Sequence, residues 1–447
     1  MRPTRGVRRF AAPVPALPMI VTVLVAATAR AQPTASRTVS LAQCVAIALR
    51  ENPDAQSSEF AVRGAEAQRA EVRGAFAPRV QFDGNVQQWS SPFAIAFGGT
   101  SFTVRDALTW TAGVSLIQPI TTLLPIYQQY KIQEFGVDVA AIRRAAMRRE
   151  VAFHTIESYY RLIEAERLAD VASASVTQLE AQQKQAQSQF DNGVIGKNDL
   201  LRAALALAGA RQRAIQTSGQ VVLAHGQLAT AMGRSPDDAM EPEPFASEPP
   251  LLSETGLEAA EGRAASDRLE LRDLARQVDQ AQIGVSYAKA KLGPVVNAVG
   301  NYTHTGGSPF QQENAAYVGL AASWNVWDWG TTMSGIRVAD AKLQQAILAR
   351  KKLEDEVRLE ARQAFVIAES SRQDLEVART AVSQAEENFR IVTKKFENNA
   401  ATSFDVVDAE ALLTQSRGQI EQALYDYLIA AAALQKATGA ALPGEGT

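Results

Sequence analysis

The sequence predicts a mostly α-helical fold with a membrane β-barrel, built from an internal tandem repeat. Two lines of sequence recur 206 positions apart, helix-forming runs extend for up to 82 residues without Gly or Pro, and segments with alternating apolar residues interrupt those runs. Because a repeat sets the frame of a fold, the helices and strands are expected to recur in the same order in both copies.

The duplication is clearest where FDNGVIGKNDLLRAA at 190–204 aligns with FENNAATSFDVVDAE at 396–410. The same register pairs Gly113 with Gly319, well outside these two lines. Both lines contain a breaker pair, Asn-Gly in the first and Asn-Asn in the second, of the kind that ends helices. Each line is therefore predicted to form a turn between two helices.

The repeats and the composition divide the chain into five predicted segments. These are a signal peptide at 1–31, a first repeat at 32–234, a linker at 235–267, a second repeat at 268–439 and a C-terminal tail at 440–447. The linker is rich in Pro, Glu and Ser, which separates it from the helix-forming runs on either side.

The first 31 residues have the pattern of a secretory signal peptide. A basic start precedes an apolar stretch at Met19–Ala27, and Ala29-Arg30-Ala31 fits the small-x-small cleavage pattern. The alternative, a membrane anchor, is disfavoured because the apolar run is too short to span a bilayer as a helix. Cleavage removes five arginines and no acid, which changes the formal charge from −3 to −8. An acidic chain argues against nucleic acid as a partner.

The sequence contains no motif that is typical of a catalytic site or a metal-binding site. Cys44 is the single cysteine, so no intrachain disulfide is expected; its LAQC context only weakly resembles a lipoprotein box, and a helix-face cysteine is the preferred interpretation. The three histidines stand far apart, and no Gly-rich phosphate loop is present. We therefore expect no enzyme activity, no cofactor and no metal site.

Very long helices are predicted in both repeats. Gly136 and Gly193 enclose 56 residues without Gly or Pro, and Gly335 and Gly418 enclose 82, all rich in good helix formers. Apolar residues recur at helical spacing, as at 156–163. A helix of that first length is about 84 Å long, so these helices are expected to pack lengthwise in a coiled bundle. A globular domain of several shorter helices is the alternative.

Four short segments have the period of two that is typical of β-strands. They lie at about 79–89, 107–118, 295–304 and 316–327, with a loop predicted at 90–105. Each strand has about ten residues, the length that a tilted strand needs to cross a bilayer. Two soluble hairpins with aromatic cores are the alternative interpretation.

Aromatic residues favour the membrane interpretation, because such residues suit the two interfaces of a barrel. The predicted interface aromatics are Trp89, Trp110, Trp324, Trp327, Trp329, Tyr302 and Tyr317. The alternation predicts one lipid-facing set, Leu108, Trp110, Val114, Leu116, Val318, Leu320 and Trp324. It predicts a second set facing the lumen, Thr109, Thr111, Ser115, Tyr317 and Ser323.

Four strands are too few to close a barrel, and lipid does not tolerate open sheet edges. The chain is therefore expected to oligomerise. Three copies would supply twelve strands, with the long helices continuing below as a hollow cylinder. Closure by symmetry is favoured physically, but it does not by itself select three copies.

With these features in the right order, the chain resembles the TolC-type outer-membrane efflux protein family from about Val39 to Gly439. The motifs are SLAQCVAIALRENPD, the strand starts after Pro78 and Pro294, SLIQPI, SWNVWDWG, FDVVDAEALL and LIAAAALQKATG. The resemblance implies a homotrimer with a twelve-stranded outer-membrane barrel in lipid, a coiled-coil α-helical tunnel through the periplasm and a collar around the tunnel at 235–267.

The resemblance also implies a function and partners. The chain would be the passive exit duct of a tripartite efflux or type I secretion system, fed by an inner-membrane pump through a periplasmic adaptor. Two alternatives are a periplasmic coiled-coil scaffold and the adaptor subunit itself. An adaptor has β-rich domains around one helical hairpin, whereas this chain has two helical repeats.

The two repeated lines would then be the periplasmic tips of the tunnel. The resemblance places adaptor contacts at Gly193, Val194, Ile195, Ala400 and Ala401, with the first tip as the stronger contact. It places a periplasmic gate at Asp405, Asp408, Asp199 and Phe396. Where the family pattern has a tyrosine and an arginine that hold the gate shut, this chain has Phe396 and Ala401, so closure is expected to rely on packing.

Overall fold

The computed structural model describes residues 38–238, 240–243, 252, 256–398 and 400–444. The predicted signal peptide lies outside these residues, as do most of 244–255 in the predicted linker, Asn399 at the second tip and 445–447 in the tail.

The first repeat contains four helices, two long strands and a pair of short strands joined by a two-residue turn. A two-residue strand precedes it. In chain order these are β1 (Thr38–Val39), α1 (Leu41–Glu51), α2 (Pro53–Gly74), β2 (Arg79–Gln88), β3 (Phe93–Phe97), β4 (Thr100–Arg105), β5 (Leu108–Pro119), α3 (Leu123–Asp191) and α4 (Lys197–Ala231).

The second repeat follows the same order without the short strand pair. Its elements, with the short strand that precedes them, are β6 (Glu241–Pro242), α5 (Leu257–Asp267), α6 (Leu269–Ala290), β7 (Val295–Gly306), β8 (Asn314–Ser323), α7 (Thr331–Glu397) and α8 (Ser403–Thr438). The predicted tandem repeat is therefore present in the order of helices and long strands.

The longest helices run without interruption from the strands to the two repeated lines. Helix α3 has 69 residues and α7 has 67, so each is about 100 Å long. α3 is longer than its predicted 56-residue run because it begins before Gly136, whereas the predicted 82-residue run is divided between α7, which ends at Glu397, and α8, which begins at Ser403. Within the described ranges, no helix is both long and apolar enough to cross a membrane.

The largest buried cluster lies near the middle of α3. Ile156, Tyr159 and Ile163 are buried there against α1, α4 and α8. The hydroxyl of Tyr159 donates a hydrogen bond of 2.9 Å to the backbone carbonyl of Glu243, just after β6. The α8 residues in this cluster are Tyr425, Leu428, Ile429 and Ala432.

The first and second helices of each repeat meet at a kink with the same backbone geometry. Asn52, between α1 and α2, has ψ 129°, and Arg268, between α5 and α6, has ψ 126°. The Asn52 amide donates to the carbonyl of Ala231, and the Arg268 guanidinium donates to the carbonyl of Ala437. Each kink is therefore tied to the end of the last helix in its own repeat.

The four long strands form one antiparallel sheet in the order β2-β5-β7-β8. The predicted strands are all present, but the last one ends at Ser323 rather than near 327. The chain leaves the sheet there because the indole of Trp324 donates to the carbonyl of Leu292 and Asp328 accepts backbone hydrogen bonds from Gly330 and Thr332. These bonds form the turn that leads into α7.

The prediction of a loop at 90–105 is wrong, because this segment contains the hairpin β3–β4. Phe97 pairs with Thr100, so the turn has only two residues, Gly98 and Gly99. Their φ angles are +60° and +84°, a conformation that suits glycine and closes a tight hairpin. A Gly-Gly pair between two apolar, β-branched or aromatic runs is a hairpin signal in the sequence itself.

Candidate functional site

The long-stranded sheet has one apolar face and one polar face. The pairing register places Val114 beside Phe82 on β2 and Tyr302 on β7, and it places Val318 and Leu320 on the same side of the sheet. In this single chain those apolar side chains are exposed. A sheet that exposes apolar residues at every second position has the chemistry of a barrel wall in lipid.

The opposite face carries polar side chains. Ser115 pairs with Gln81 and Asn301, and Thr111 pairs with Asn85 and Thr305. Tyr317 pairs with Asn301 and therefore lies on this polar face as well. The register therefore places the strand residues predicted to face lipid on one side of the sheet and those predicted to face the lumen on the other. The exception is Trp324, which follows the end of β8.

The five tryptophans lie at the two ends of the sheet. Trp89 follows β2 and Trp110 lies near the start of β5, at the end away from the helices, where the Trp89 indole donates to Thr109. Trp324, Trp327 and Trp329 follow β8 at the end that joins the helices. Two aromatic bands separated by the length of a strand match the two interfaces of a membrane.

The two predicted interface tyrosines lie inside the strands rather than in these bands. Tyr302 lies on the apolar face of β7, and its hydroxyl donates to the side chain of Asn314 at 2.8 Å. Tyr317 lies on the polar face of β8. The sequence pattern placed both tyrosines beside strands but could not fix their height along them.

The two repeated lines form turns at the ends of the long helices. α3 ends at Asp191 and α7 at Glu397, and the amides of Asn192 and Asn398 donate to the carbonyls of Ser188 and Lys394 in the same way. These sites are 206 positions apart in the sequence. The turns are thus equivalent helix ends, although Asn399 lies outside the described residues.

The first turn presents an aliphatic side chain to solvent. Gly193 has φ +75°, Val194 is 61% exposed, and Ile195 is half-buried. At the second turn Ala400 is exposed and Ala401 is half-buried. The first turn therefore offers the larger exposed apolar side chain.

The helices that follow the turns begin differently. The Asp405 carboxylate accepts hydrogen bonds of 2.7 Å from the backbone N–H and the hydroxyl of Thr402, which completes a capping box. These bonds from Thr402 lower the pKa of Asp405. At the start of α4 the cap is Gly196, which has no side chain, and Asp199 is half-buried. Asp405 thus has a structural role at the position predicted for a gate.

The other predicted gate residues occupy separate environments. Asp408 is exposed, whereas Phe396 is only 5% exposed and packs as a core residue. The Arg202 guanidinium lies 5.3 Å from the centre of the Phe404 ring, which joins α4 of the first repeat to α8 of the second. This cation–π contact holds the starts of the two helices together, and closure of the gate by packing stays a prediction.

One buried carboxylate was missed by the sequence analysis. Glu410 on α8 is buried and accepts hydrogen bonds from the hydroxyls of Ser175 on α3 (2.7 Å) and Thr414 (2.8 Å). Glu410 lies four residues after the buried Val406 and three residues before the buried Leu413. Helical spacing alone therefore indicates that Glu410 lies on the apolar face of α8. This polar contact joins the two repeats in the half of the bundle near the turns.

No group of three His, Cys, Asp or Glu side chains able to hold a metal ion occurs among the residues that the structure describes. A lipid-type barrel wall joined to two pairs of very long helices instead defines a membrane channel with a helical extension. A family model described as "Outer membrane efflux protein" matches residues 45–234 and 262–440. The chain therefore belongs to this family, and the matched ranges coincide with its two repeats.

Known proteins and structures support the same fold. The alkaline protease secretion protein AprF of Pseudomonas aeruginosa is 25% identical over 406 residues, covering 87% of this chain and 82% of that protein. The outer-membrane channel OprN is 18% identical, with a TM-score of 0.77 and 90% of both chains covered. The Campylobacter jejuni outer-membrane channel CmeC is 14% identical, with a TM-score of 0.78 and coverage of 89% and 85%.

These matches confirm the predicted fold class and the resemblance to TolC-type channels. The protein is an outer-membrane channel with a large periplasmic helical part, and it serves as an exit duct for efflux. Its family and fold are those of channel proteins rather than of enzymes.

Proposed function

We propose that three copies of this chain close a twelve-stranded barrel, with β2 of one protomer paired to β8 of the next. The observation that carries the proposal is the open sheet itself: β2 and β8 are its two edges, and each has ten residues. Open edges in lipid leave backbone N–H and C=O groups unsatisfied, which is strongly unfavourable. Pairing edges of equal length around a threefold axis satisfies them all.

In this assembly the apolar face of the sheet meets lipid and the polar face lines the channel. α3, α4, α7 and α8 of each copy continue the channel as a tunnel through the periplasm. The described residues of the mixed segment at 235–267 lie beside this tunnel as part of a collar. The chain is a passive conduit for cargo that an inner-membrane pump delivers through a periplasmic adaptor. The tryptophan bands mark the two membrane interfaces.

The assembly is tested by the mass of the detergent-extracted protein. We expect a species of three chains that fractionates with outer membranes, stays intact in an unheated gel and dissociates on heating. A control extraction in buffer without detergent should leave the protein in the membrane pellet. Release of a monomer into that buffer would favour the periplasmic scaffold instead.

The adaptor contact is proposed at the two turns, with the first as the stronger. The exposed Val194 supports this ranking, because the apolar side chains described at the second turn are the smaller Ala400 and Ala401. Val194→Cys and Ala400→Cys form a matched pair for crosslinking to the adaptor in cells. We expect more adaptor captured at Val194→Cys; capture only at Ala400→Cys would reverse the ranking.

The gate is proposed at the start of α8, where the exposed Asp408 of each protomer would face the tunnel's periplasmic mouth. A ring of carboxylates attracts cations, so a multivalent cation added from the periplasmic side should block the channel. Asp408→Asn should relieve the block in planar bilayers while the trimer stays intact. Asp405→Asn is the comparison variant, because its carboxylate already caps α8. An unchanged block in both variants would remove these acids from the gate.

Secretion of a polypeptide is a second candidate for the cargo, because the relative AprF is by name a secretion protein. Deleting the gene and comparing the extracellular proteins with the sensitivity of the cells to small toxic compounds tests it. Loss of a specific extracellular protein at unchanged sensitivity would favour secretion, and the converse would favour efflux.

A further inference from the structure

The hairpin β3–β4 is an amphipathic element that the channel function does not explain. Ile95 pairs with Phe102 and Phe97 pairs with Thr100, which places three aromatic rings and one aliphatic side chain on one face. All four are exposed: Phe93, Ile95, Phe97 (82%) and Phe102. The opposite face carries only small residues, Ala94, Ala96, Ser101 and Thr103.

The hairpin lies beyond the membrane-crossing part of the sheet. β2 already has the ten residues that a tilted strand needs to cross the apolar layer, and β3 begins after it. At the base of the hairpin the Arg105 guanidinium lies 3.6 Å from the centre of the Trp89 ring, and the backbone N–H of Asp106 donates to Gly307. A charged pair of residues beside a tryptophan marks the outer interface of the barrel.

The segment above that interface has no charge. Residues 90–104 contain no Asp, Glu, Lys or Arg, although they form a strand pair with open edges. An exposed apolar face on an uncharged strand pair is unfavourable in water and promotes association with a similar surface. The hydrocarbon layer lies below the hairpin, so a protein surface is the better occupant.

We propose that the apolar faces of three β3–β4 hairpins, one from each protomer, pack against one another above the outer mouth of the channel. This inference rests on the proposed trimer. The occupant is a second copy because the hairpin continues directly from β2, the edge strand at which the next protomer joins. The second repeat has only a short connection at 307–313 in the matching place, so the assembly has three hairpins around one axis.

Such packing places a ring of aromatic side chains at the extracellular end of the duct. Hydrophobic constrictions of this kind gate channels by excluding water. The turn Gly98-Gly99 forms the tip of the hairpin, and Phe97, beside this turn, is its most exposed large side chain. The duct would then have one constriction at the helix turns and another at the opposite end, formed by different chemistry.

A matched pair of cysteine variants tests the inference in outer membranes. Phe97→Cys lies on the apolar face and Ala96→Cys lies on the opposite face one residue away. The native Cys44 can remain, because it is buried and burial raises its pKa to about 11, which leaves it poorly reactive. With a mild oxidant we expect covalent dimers from Phe97→Cys at a yield about tenfold above Ala96→Cys, since a disulfide requires close Cβ atoms.

A second pair, Phe102→Cys and Ser101→Cys, repeats the test on β4 in case one variant folds poorly. The trimer is scored separately in unheated gels, so loss of the trimer overturns the proposed assembly and an intact trimer without selective crosslinking overturns only the hairpin contact. A fluorophore on Phe97→Cys that is quenched by spin-labelled lipid, without crosslinking, would assign the apolar face to the membrane and overturn the inference.

Discussion

The two repeats share a backbone and differ in the side chains that stabilise it. In the first, the neutral Asn52 ties the α1–α2 kink to Ala231; in the second, the charged Arg268 ties the α5–α6 kink to Ala437. Arg268 is also paired with Glu270 and Glu360. The position of the kink is therefore fixed by helix ends that must find hydrogen-bond partners, whereas the chemistry of the partner can change.

The close approach of backbones at the kinks is common to both repeats. Gly233 and Gly439 end the last helices with φ +77° and +78°. A Cβ at Gly233 would lie 2.6 Å from the Cα of Asn52, and one at Gly439 would lie 2.9 Å from the Cβ of Asp267. Gly193 has a similar φ but an open surrounding. Alanine substitutions at these three glycines therefore distinguish the effect of backbone strain from the effect of a steric clash.

The largest expected effect comes from alanine at these glycines. We expect Gly233→Ala to lower the free energy of unfolding by about 3 kcal/mol or more, because strain and a backbone clash add. Gly439→Ala should have a somewhat smaller effect, because the nearest atoms, the Cβ and the backbone carbonyl carbon of Asp267, are farther away at 2.9 and 3.1 Å. Gly193→Ala, the control, should lower it by about 1 kcal/mol through strain alone. Thermal unfolding followed by helical circular dichroism measures the order; equal losses at all three sites would contradict it.

The second-largest expected effect on stability comes from the contact between the repeats at Glu410. Ser175→Ala removes one donor to this buried carboxylate, so we expect a loss of about 1–3 kcal/mol in the free energy of unfolding. The first repeat has Ala204 in the place of Glu410, so the effect has no counterpart there. Thr177→Ala, an exposed site on the same helix, is the control and should change stability by less than about 0.5 kcal/mol. A loss as large in the control would rule out this contact as the cause.

The capping box at the start of α8 distinguishes the two turns. Thr402→Ala should lower stability by about 1 kcal/mol, whereas Gly196→Ala at the first turn removes no side-chain cap. The pKa of Asp405 is lower in the folded state than in the unfolded state. Its contribution is therefore complete above the unfolded value of about 3.9 and is lost as the pH falls through the folded value.

Melting curves between neutral and acidic pH test this contribution. The wild-type protein should lose part of its stability at the low end of the range, and Asp405→Asn should lose less over the same interval. A pH dependence that is the same in both proteins would show that the cap does not titrate as expected.

The smallest effect is expected where the repeats agree. Glu180 pairs with Arg211 at 2.7 Å, and the equivalent Glu386 pairs with Arg417 at 2.9 Å. These pairs are solvent-exposed, so each should contribute at most about 0.5 kcal/mol and lose that contribution in salt. Arg211→Met and Arg417→Met should give equal, small shifts in double-mutant cycles. A large difference between them would mean that one helix pair depends on its charges.

The sequence predicted the parts of the fold that periodicity encodes. The duplicated lines predicted two equivalent turns, and alternation predicted four strands and the two faces on which Val114 and Ser115 lie. The features that the sequence did not predict depend on tertiary contacts. β8 ends early because the Trp324 indole finds a partner outside the sheet, and Glu410 is buried because Ser175 faces it from another helix. The hairpin β3–β4 had its signal in Gly98-Gly99, although the alignment of the repeats suggested only a longer loop.

The unequal turns have a consequence for stoichiometry. In a threefold assembly of duplicated chains, six helical turns alternate around the rim as two chemical kinds, one with Val194 exposed and one with Ala400 exposed. The rim is thus sixfold in backbone and threefold in surface chemistry. A partner that recognises the backbone alone can bind in six copies, whereas a partner that requires the valine binds in three. The ratio of partner to channel in the isolated complex would therefore report which of the two features is recognised.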